Sequence, residues 1–174
     1  IIDQTLGLKD TTVFIVSDHG EEFNEHGGLS HDGKMFDELV RVPFCIYNRS
    51  FESQVVSDVV STLDLPPTIA QLAGVAPDPS WQGQSLLPLE DYDKERGALG
   101  EAIDKRGPRE LGNEAEVHYY RQGDYKIIYS ERTLSWELYN LADDPEEKHS
   151  IYGEDSISEY MMKKIIPRIN RYAK

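Results

Sequence analysis

Between Ser17 and Pro43 the chain concentrates side chains able to hold a metal ion or move a proton. They fall in four groups: Ser17-Asp18-His19-Gly20-Glu21, Glu25-His26-Gly27, His31-Asp32-Gly33 and Arg41-Val42-Pro43. Adjacent Asp18 and His19 offer a carboxylate and an imidazole, both good ligands for a divalent cation, although two ligands never complete a shell. Alone, the pair reads better as a turn, with Asp18 capping it and His19 in a local hydrogen bond, since the dipeptide is common. Position and company favour the ligand reading. Thr11 to Val16 is β-branched and apolar on both faces, which predicts a strand buried in a largely parallel sheet. Functional groups in open α/β sheets gather beyond the carboxyl ends of such strands, where the backbone holds them rigidly.

The surrounding elements follow from pattern. Lys34 to Leu39 reads as a short helix and Arg41 to Tyr47 as a second strand, with Cys45 in its apolar run expected in the core. Ser57 to Ala73 is helical in pattern, with Asp64 as N-cap, Pro66 and Pro67 in a first turn and Gly74 as C-cap. After a Pro/Gly-rich connection from Gly74 to Pro88, the character changes. Leu99 to Ile103, Val117 to Arg121, Tyr125 to Ser130 and Trp136 to Tyr139 are short strand-like runs, and Gly123-Asp124 marks a hairpin turn. Ser156 to Tyr172 closes the chain as a helix, with an interruption expected at Pro167.

The run from Ser17 to Arg41 resembles the alkaline phosphatase superfamily, and its sulfatase branch most closely. Three further segments match that branch in order: Asp64-Leu65-Pro66-Pro67-Thr68 through Gly74-Val75, Gly83-Gln84-Ser85-Leu86-Leu87-Pro88-Leu89, and Trp136-Glu137-Leu138-Tyr139-Asn140-Leu141 through Asp143-Asp144-Pro145-Glu146-Glu147. The resemblance implies an α/β fold: the C-terminal part of an alkaline-phosphatase-like mixed sheet flanked by helices, plus a small antiparallel sheet and a terminal helix. Residues 1–90 would belong to the catalytic α/β domain and residues 91–174 to the small sheet with its helix. It also implies that Asp18 and His19 ligate a divalent metal ion, calcium first, with manganese and zinc close behind. His31 falls where relatives place a cationic contact to an oxygen of the transferring group, which makes it the candidate catalytic residue; the plain alternative is a surface-loop histidine. His26 is a weaker candidate for orienting the loop. Glu21, Glu22 and Glu25 read as capping or solvated charges, and Arg41 as the ion-pair partner of Asp37 or Glu38.

The sulfatase pattern also contains a C/S-x-P-x-R nucleophile motif and an early pair of Asp ligands, and neither occurs here. The chain is therefore expected to be a C-terminal portion that contributes ligands and an anion contact but lacks the nucleophile. Its uncovered sheet faces would favour self-association. A sulfate ester, small or saccharide, is the implied substrate. A phosphoryl hydrolase or transferase of the same superfamily, and a non-catalytic interaction module with a degenerate site, stand as alternatives.

Composition narrows the partners. The chain has 174 residues and a net charge of −14, a balance that repels a phosphate backbone and speaks against nucleic acid. No apolar run approaches the roughly 18 residues needed to span a bilayer, so a soluble chain is expected. The single cysteine excludes an internal disulfide and a Cys-based zinc site.

Overall fold

The computed structural model describes residues 11–31, 33–104, 115–153 and 155–169. Val13–Val16 (β1) and Phe44–Tyr47 (β2) form a two-stranded antiparallel ribbon, with Val13 opposite Tyr47 and Val16 opposite Phe44. This corrects the expected buried parallel strand: Ile15 is 58% exposed and Val16 37%. The β-branched run carries strand propensity whatever covers it, and among the described residues β2 alone pairs with it. Cys45 is likewise exposed rather than core. Alternation turns Phe44 and Ile46 to the half-buried face of β2, and Cys45 and Tyr47 to the open one.

Between the two strands, Asp37–Val40 (α1) makes a single helical turn, shorter than the predicted Lys34–Leu39 and shifted by three residues. Met35 and Phe36 precede it in extended chain and face the core. After β2, helical structure starts at Thr62 rather than Ser57. There Ser61 and Asp64 form a reciprocal capping box ahead of a short 3-10 turn, Thr62–Asp64. Leu65–Leu72 (α2) continues it, with its two prolines in the first turn. The helix ends as expected: Gly74 takes φ +67 and donates to Gln71 O, and Val75 N donates to Ala70 O.

Asp64 does not cap α2 with its side chain. Its fully buried carboxylate accepts from Ser61 N, Gln84 N, Arg96 Nη2 and Tyr92 Oη, at 2.5 to 3.2 Å. Thr68 Oγ1 donates to Asp64 O and accepts from Leu86 N. A Cβ on Gly83 would lie 1.8 Å from Leu63 O. The two motifs containing Asp64 and Gly83 are thus halves of one knot.

The four-stranded sheet follows the predicted runs closely: Ala98–Asp104 (β3), Ala115–Gln122 (β4), Tyr125–Ser130 (β5) and Ser135–Asn140 (β6), antiparallel in chain order. Gln122 pairs with Tyr125 across the Gly123-Asp124 turn, where Gly123 takes φ +55. Ser156–Ile169 (α3) crosses one face and buries Met161 and Ile165 against Tyr120, Ile127 and Leu138. It runs through Pro167 without interruption; its predicted extension to Tyr172 lies outside the described residues. The other face packs Val117, Ile128 and Tyr139 against Met35 and Phe36. Two faces, two cores, one sheet between them: the architecture is mixed α/β. No helix among the described residues is long and apolar enough to cross a membrane.

Candidate metal and anion site

β1 delivers its successors directly to the site. Ser17 N donates to Pro43 O at 3.4 Å, which extends the ribbon by one residue, and Ser17 Oγ donates to His19 O at 2.7 Å. His19 N donates to Asp18 Oδ1 at 3.0 Å. His19 Nδ1 lies 2.7 Å from Gly20 O, so that nitrogen carries the proton and Nε2 keeps its lone pair. Nε2 is 3.7 Å from Asp18 Oδ2, a spacing at which both can turn to one ion. The His19 N–H, together with the neighbouring imidazole, holds the exposed Asp18 carboxyl below its usual range. The bond to Gly20 O, seconded by the charges of Asp18 and Glu21, raises the His19 imidazole above its own. The donor set, a free carboxylate beside an imidazole of fixed tautomer, suits a divalent cation.

Gly20 fixes where this turn sits. Its N–H donates to Leu39 O at 2.8 Å, and a Cβ would lie 1.9 Å from Glu38 O, so only glycine lets the turn rest on the backbone of α1.

His31 comes back to the same place. Its ring stacks on that of His19, centroids 4.2 Å apart, and its Nδ1 lies 3.3 Å from Glu21 Oε2. Asp18, His19 and His31, chosen from sequence, are therefore neighbours. Glu21, read there as a capping or solvated charge, belongs with them, and its Oε1 is buried without a hydrogen-bond partner. Only its place after Gly20 could have signalled this.

The loop between them is built on a second glutamate. Glu22 is buried at 2% exposure, which corrects its reading as a solvated charge. It accepts from His26 N and Gly28 N at 2.9 and 2.8 Å, and from Lys34 Nζ through both oxygens. Burial works to raise this carboxyl, but Lys34 and the two amides outweigh it and hold it below its usual range. His26 stacks on Phe36 at 3.6 Å, and its ring nitrogens reach Glu38 Oε1 and Glu147 O. Glu22, His26 and Glu38 have metal-ligand spacing, yet Lys34 and these bonds already satisfy them. His26 is a tie between segments.

A buried junction anchors α1 to the sheet. Asp37 pairs with Lys126 at 2.9 Å and Arg121 at 3.1 Å; Lys126, with no exposure, also meets Glu147 at 2.9 Å. Glu147 Oε2 accepts from Asp37 N at 2.5 Å. Here burial prevails over Lys126, and the Glu147 carboxyl is raised. The pairing expected of Arg41 is absent: Asp37 is taken by Arg121 and Lys126, and among the described residues exposed Arg41 makes no ion pair. Arg41 instead lines an open groove of about 1030 Å³ together with Asp18, His19, His31, Tyr119 and Arg121. Burial pushes the Tyr119 phenol up to about 12, so it stays neutral beside the groove.

A family model described as N-sulphoglucosamine sulphohydrolase, C-terminal, matches residues 24–174. The chain is 29% identical over 147 residues to an uncharacterised sulfatase of Escherichia coli, covering 84% of this chain and 29% of that protein. It is 27% identical over 169 residues to an N-acetylglucosamine-6-O-sulfatase of Bacteroides thetaiotaomicron, covering 87% and 28%. Among solved structures, a protein in complex with its substrate D-glucosamine-2-N,6-O-disulfate superposes with a TM-score of 0.75 at 22% identity, over 99% of this chain and 36% of that one. A phosphonate monoester hydrolase from Silicibacter pomeroyi gives 0.75 at 19%, over 97% and 36%. The chain thus spans under a third of the length of these curated relatives.

Proposed function

Because the chain belongs to the N-sulphoglucosamine sulphohydrolase C-terminal family of sulfatases, we propose that it contributes two metal ligands and an anion contact to a hydrolase of sulfate esters. Asp18 and His19 hold a divalent cation, and His31 donates to an oxygen of the transferring group. The observation that carries this reading is convergence: Asp18 lies 3.7 Å from the His19 ring nitrogen, and the His31 ring stacks on His19 at 4.2 Å, although 12 positions separate the two histidines. When bound, the cation supplies positive charge that draws electron density from an ester oxygen and orients the anion. The chain's own residues do the rest. Asp18 and His19 are held by Ser17 and Gly20. His31, steadied by Glu21, places a donor where charge develops, and a donor so placed is worth on the order of 10²-fold or more in turnover. Arg41 adds a cation at the groove wall.

Calcium ranks first, with manganese and zinc close behind because an imidazole suits them better. A sulfated saccharide is the substrate class, in line with a relative named N-acetylglucosamine-6-O-sulfatase and a structural neighbour in complex with its substrate D-glucosamine-2-N,6-O-disulfate. Phosphoryl ester hydrolysis is the second reading, favoured by the likeness to a phosphonate monoester hydrolase.

The test is hydrolysis of 4-nitrophenyl sulfate and 4-nitrophenyl phosphate by the full-length protein, with and without chelator. Chelator-sensitive sulfate hydrolysis that Asp18→Ala abolishes is the expected result. Preference for phosphate moves the assignment to the second reading. Full activity in Asp18→Ala overturns both.

A further inference from the structure

Glu116 and His118 on β4, and Glu131 just beyond β5, meet on the sheet face opposite Val117 and Tyr119, and none of the three lines the groove. Side chains alternate along β4, so Glu116, His118 and Tyr120 share the face covered by α3, whereas Val117 and Tyr119 share the face toward Met35 and the groove. His118 is fully buried, and neither ring nitrogen has a hydrogen-bond partner. Glu116 Oε2 is also buried and unpartnered. Buried polar atoms are nearly always satisfied, so two unsatisfied groups pointing at each other require a reason.

Their geometry supplies it. His118 Nε2 lies 3.3 Å from Glu116 Oε2 and 3.8 Å from Glu131 Oε1, and the three donor atoms fall within 4.8 Å of one another. The set is also pre-arranged. Glu131 Oε2 accepts from Glu116 N at 2.9 Å, and Glu131 N donates to Glu116 O at 2.9 Å, so that carboxylate is fixed with its other oxygen toward the imidazole. On the opposite side of the ring, Glu101 stands directly across from His118 in the β3–β4 register, with Oε2 3.9 Å from Nδ1. A carboxylate behind a ligating histidine is the usual means of setting its tautomer.

We infer that Glu116, His118 and Glu131 form a second cation site, separate from Asp18 and His19, which takes one zinc or manganese ion. One imidazole and two carboxylates suit those ions, whereas calcium prefers a larger all-oxygen shell. Three protein ligands leave a fourth position to water or to another side chain. Glu101, whose carboxylate stands 3.9 Å behind Nδ1 without a hydrogen bond to it, is the positioning residue that favours Nε2 as the ligating nitrogen.

The experiment uses full-length protein carrying Asp18→Ala and His19→Ala, so that the first site cannot answer for the second. After chelator treatment and dialysis, zinc is titrated calorimetrically and cobalt by visible absorption. One equivalent of metal is expected, with binding weakened at least about tenfold by Glu116→Gln or by Glu131→Gln. Both replacements are isosteric and fall on side chains that are partly exposed as a whole, 26% for Glu116 and 34% for Glu131, so the sheet persists. In the same parent, the ¹⁵N resonances of the His118 ring should move to those of a metal-bound imidazole on adding zinc. An imidazolium spectrum that zinc leaves unchanged overturns the inference and makes His118 a charged partner of its glutamates. Undiminished binding in both glutamine variants overturns it as well.

Discussion

The two sheets are built from similar residues and live in opposite surroundings. The ribbon of β1 and β2 leaves Ile15, Val16, Cys45 and Tyr47 open, whereas the four-stranded sheet encloses Ile127 and Leu138 with no exposure at all. α3 covers one face of the larger sheet, and Met35 with Phe36 covers the other. The ribbon has no such cover among the described residues, yet it carries Asp18 and His19 at its end. Strand propensity is therefore common to both, and packing divides their duties: stability lies in one sheet and the candidate chemistry in the other.

The sharpest way to separate them is Asp18→Ala in the full-length protein. Bound metal at this site and ester hydrolysis should vanish together, while the denaturation midpoint stays put; metal analysis beside a urea curve decides. Lys126→Met should do the reverse. Removing this cation leaves buried Glu147 unpaired and strips Asp37 of one partner, a change typically costing about 3–5 kcal/mol, readable by urea denaturation. Leu138→Ala, at the fully enclosed core, is expected to cost about 2–5 kcal/mol. The same measurement on Ile15→Ala should give no more than about 0.5 kcal/mol, since the side chain is mostly exposed. A large cost at Ile15 would break the comparison, and so would self-association of the protein that Ile15→Ser leaves unchanged.

His31→Ala should lower turnover by about 10²-fold with metal content intact, and His31→Lys should keep more activity than His31→Ala because a donor returns. Wild-type turnover in His31→Ala reduces it to a loop residue.

The smallest effect contrasts two buried carboxylates. Glu22 is held below its ordinary 4.5, so its contribution is present above that pH and is lost as pH falls through the lowered value. Glu147 is raised above 4.5, so its contribution is present at low pH and is lost as pH rises through the raised value. Glu22→Gln should therefore flatten the fall in stability below pH 4.5, and Glu147→Gln the fall above it. Stability measured against pH for each variant checks the sign.

Much of the larger sheet was legible because its strands are local: alternating residues, a Gly-Asp turn and a short connection suffice to place Tyr125 to Ser130. The positions of Asp18 and His19 at a strand end were legible for the same reason. Distant partnerships were not. Glu22 reads as one acidic residue among many until Lys34 arrives 12 positions later, and Glu147 meets Asp37 across 110 positions. The antiparallel pairing of β1 and its exposure were illegible too, since a run such as Val13-Phe14-Ile15-Val16 carries no record of what covers it. His118 looks like any strand residue until Glu131 is brought beside it by the β4–β5 hairpin.

The contact of Gly20 with α1 has a consequence in time. The turn bearing Asp18 and His19 is exposed to solvent, yet its amide at Gly20 is bonded to Leu39 O, and α1 is bound through Asp37 to Lys126 in the middle of the larger sheet. Opening that amide requires α1 to lift. Its hydrogen–deuterium exchange should then follow the slow, cooperative opening of the sheet junction, while the Gly27 amide, held only by a 3.4 Å bond to Asn24 O, exchanges on the fast clock of a surface loop.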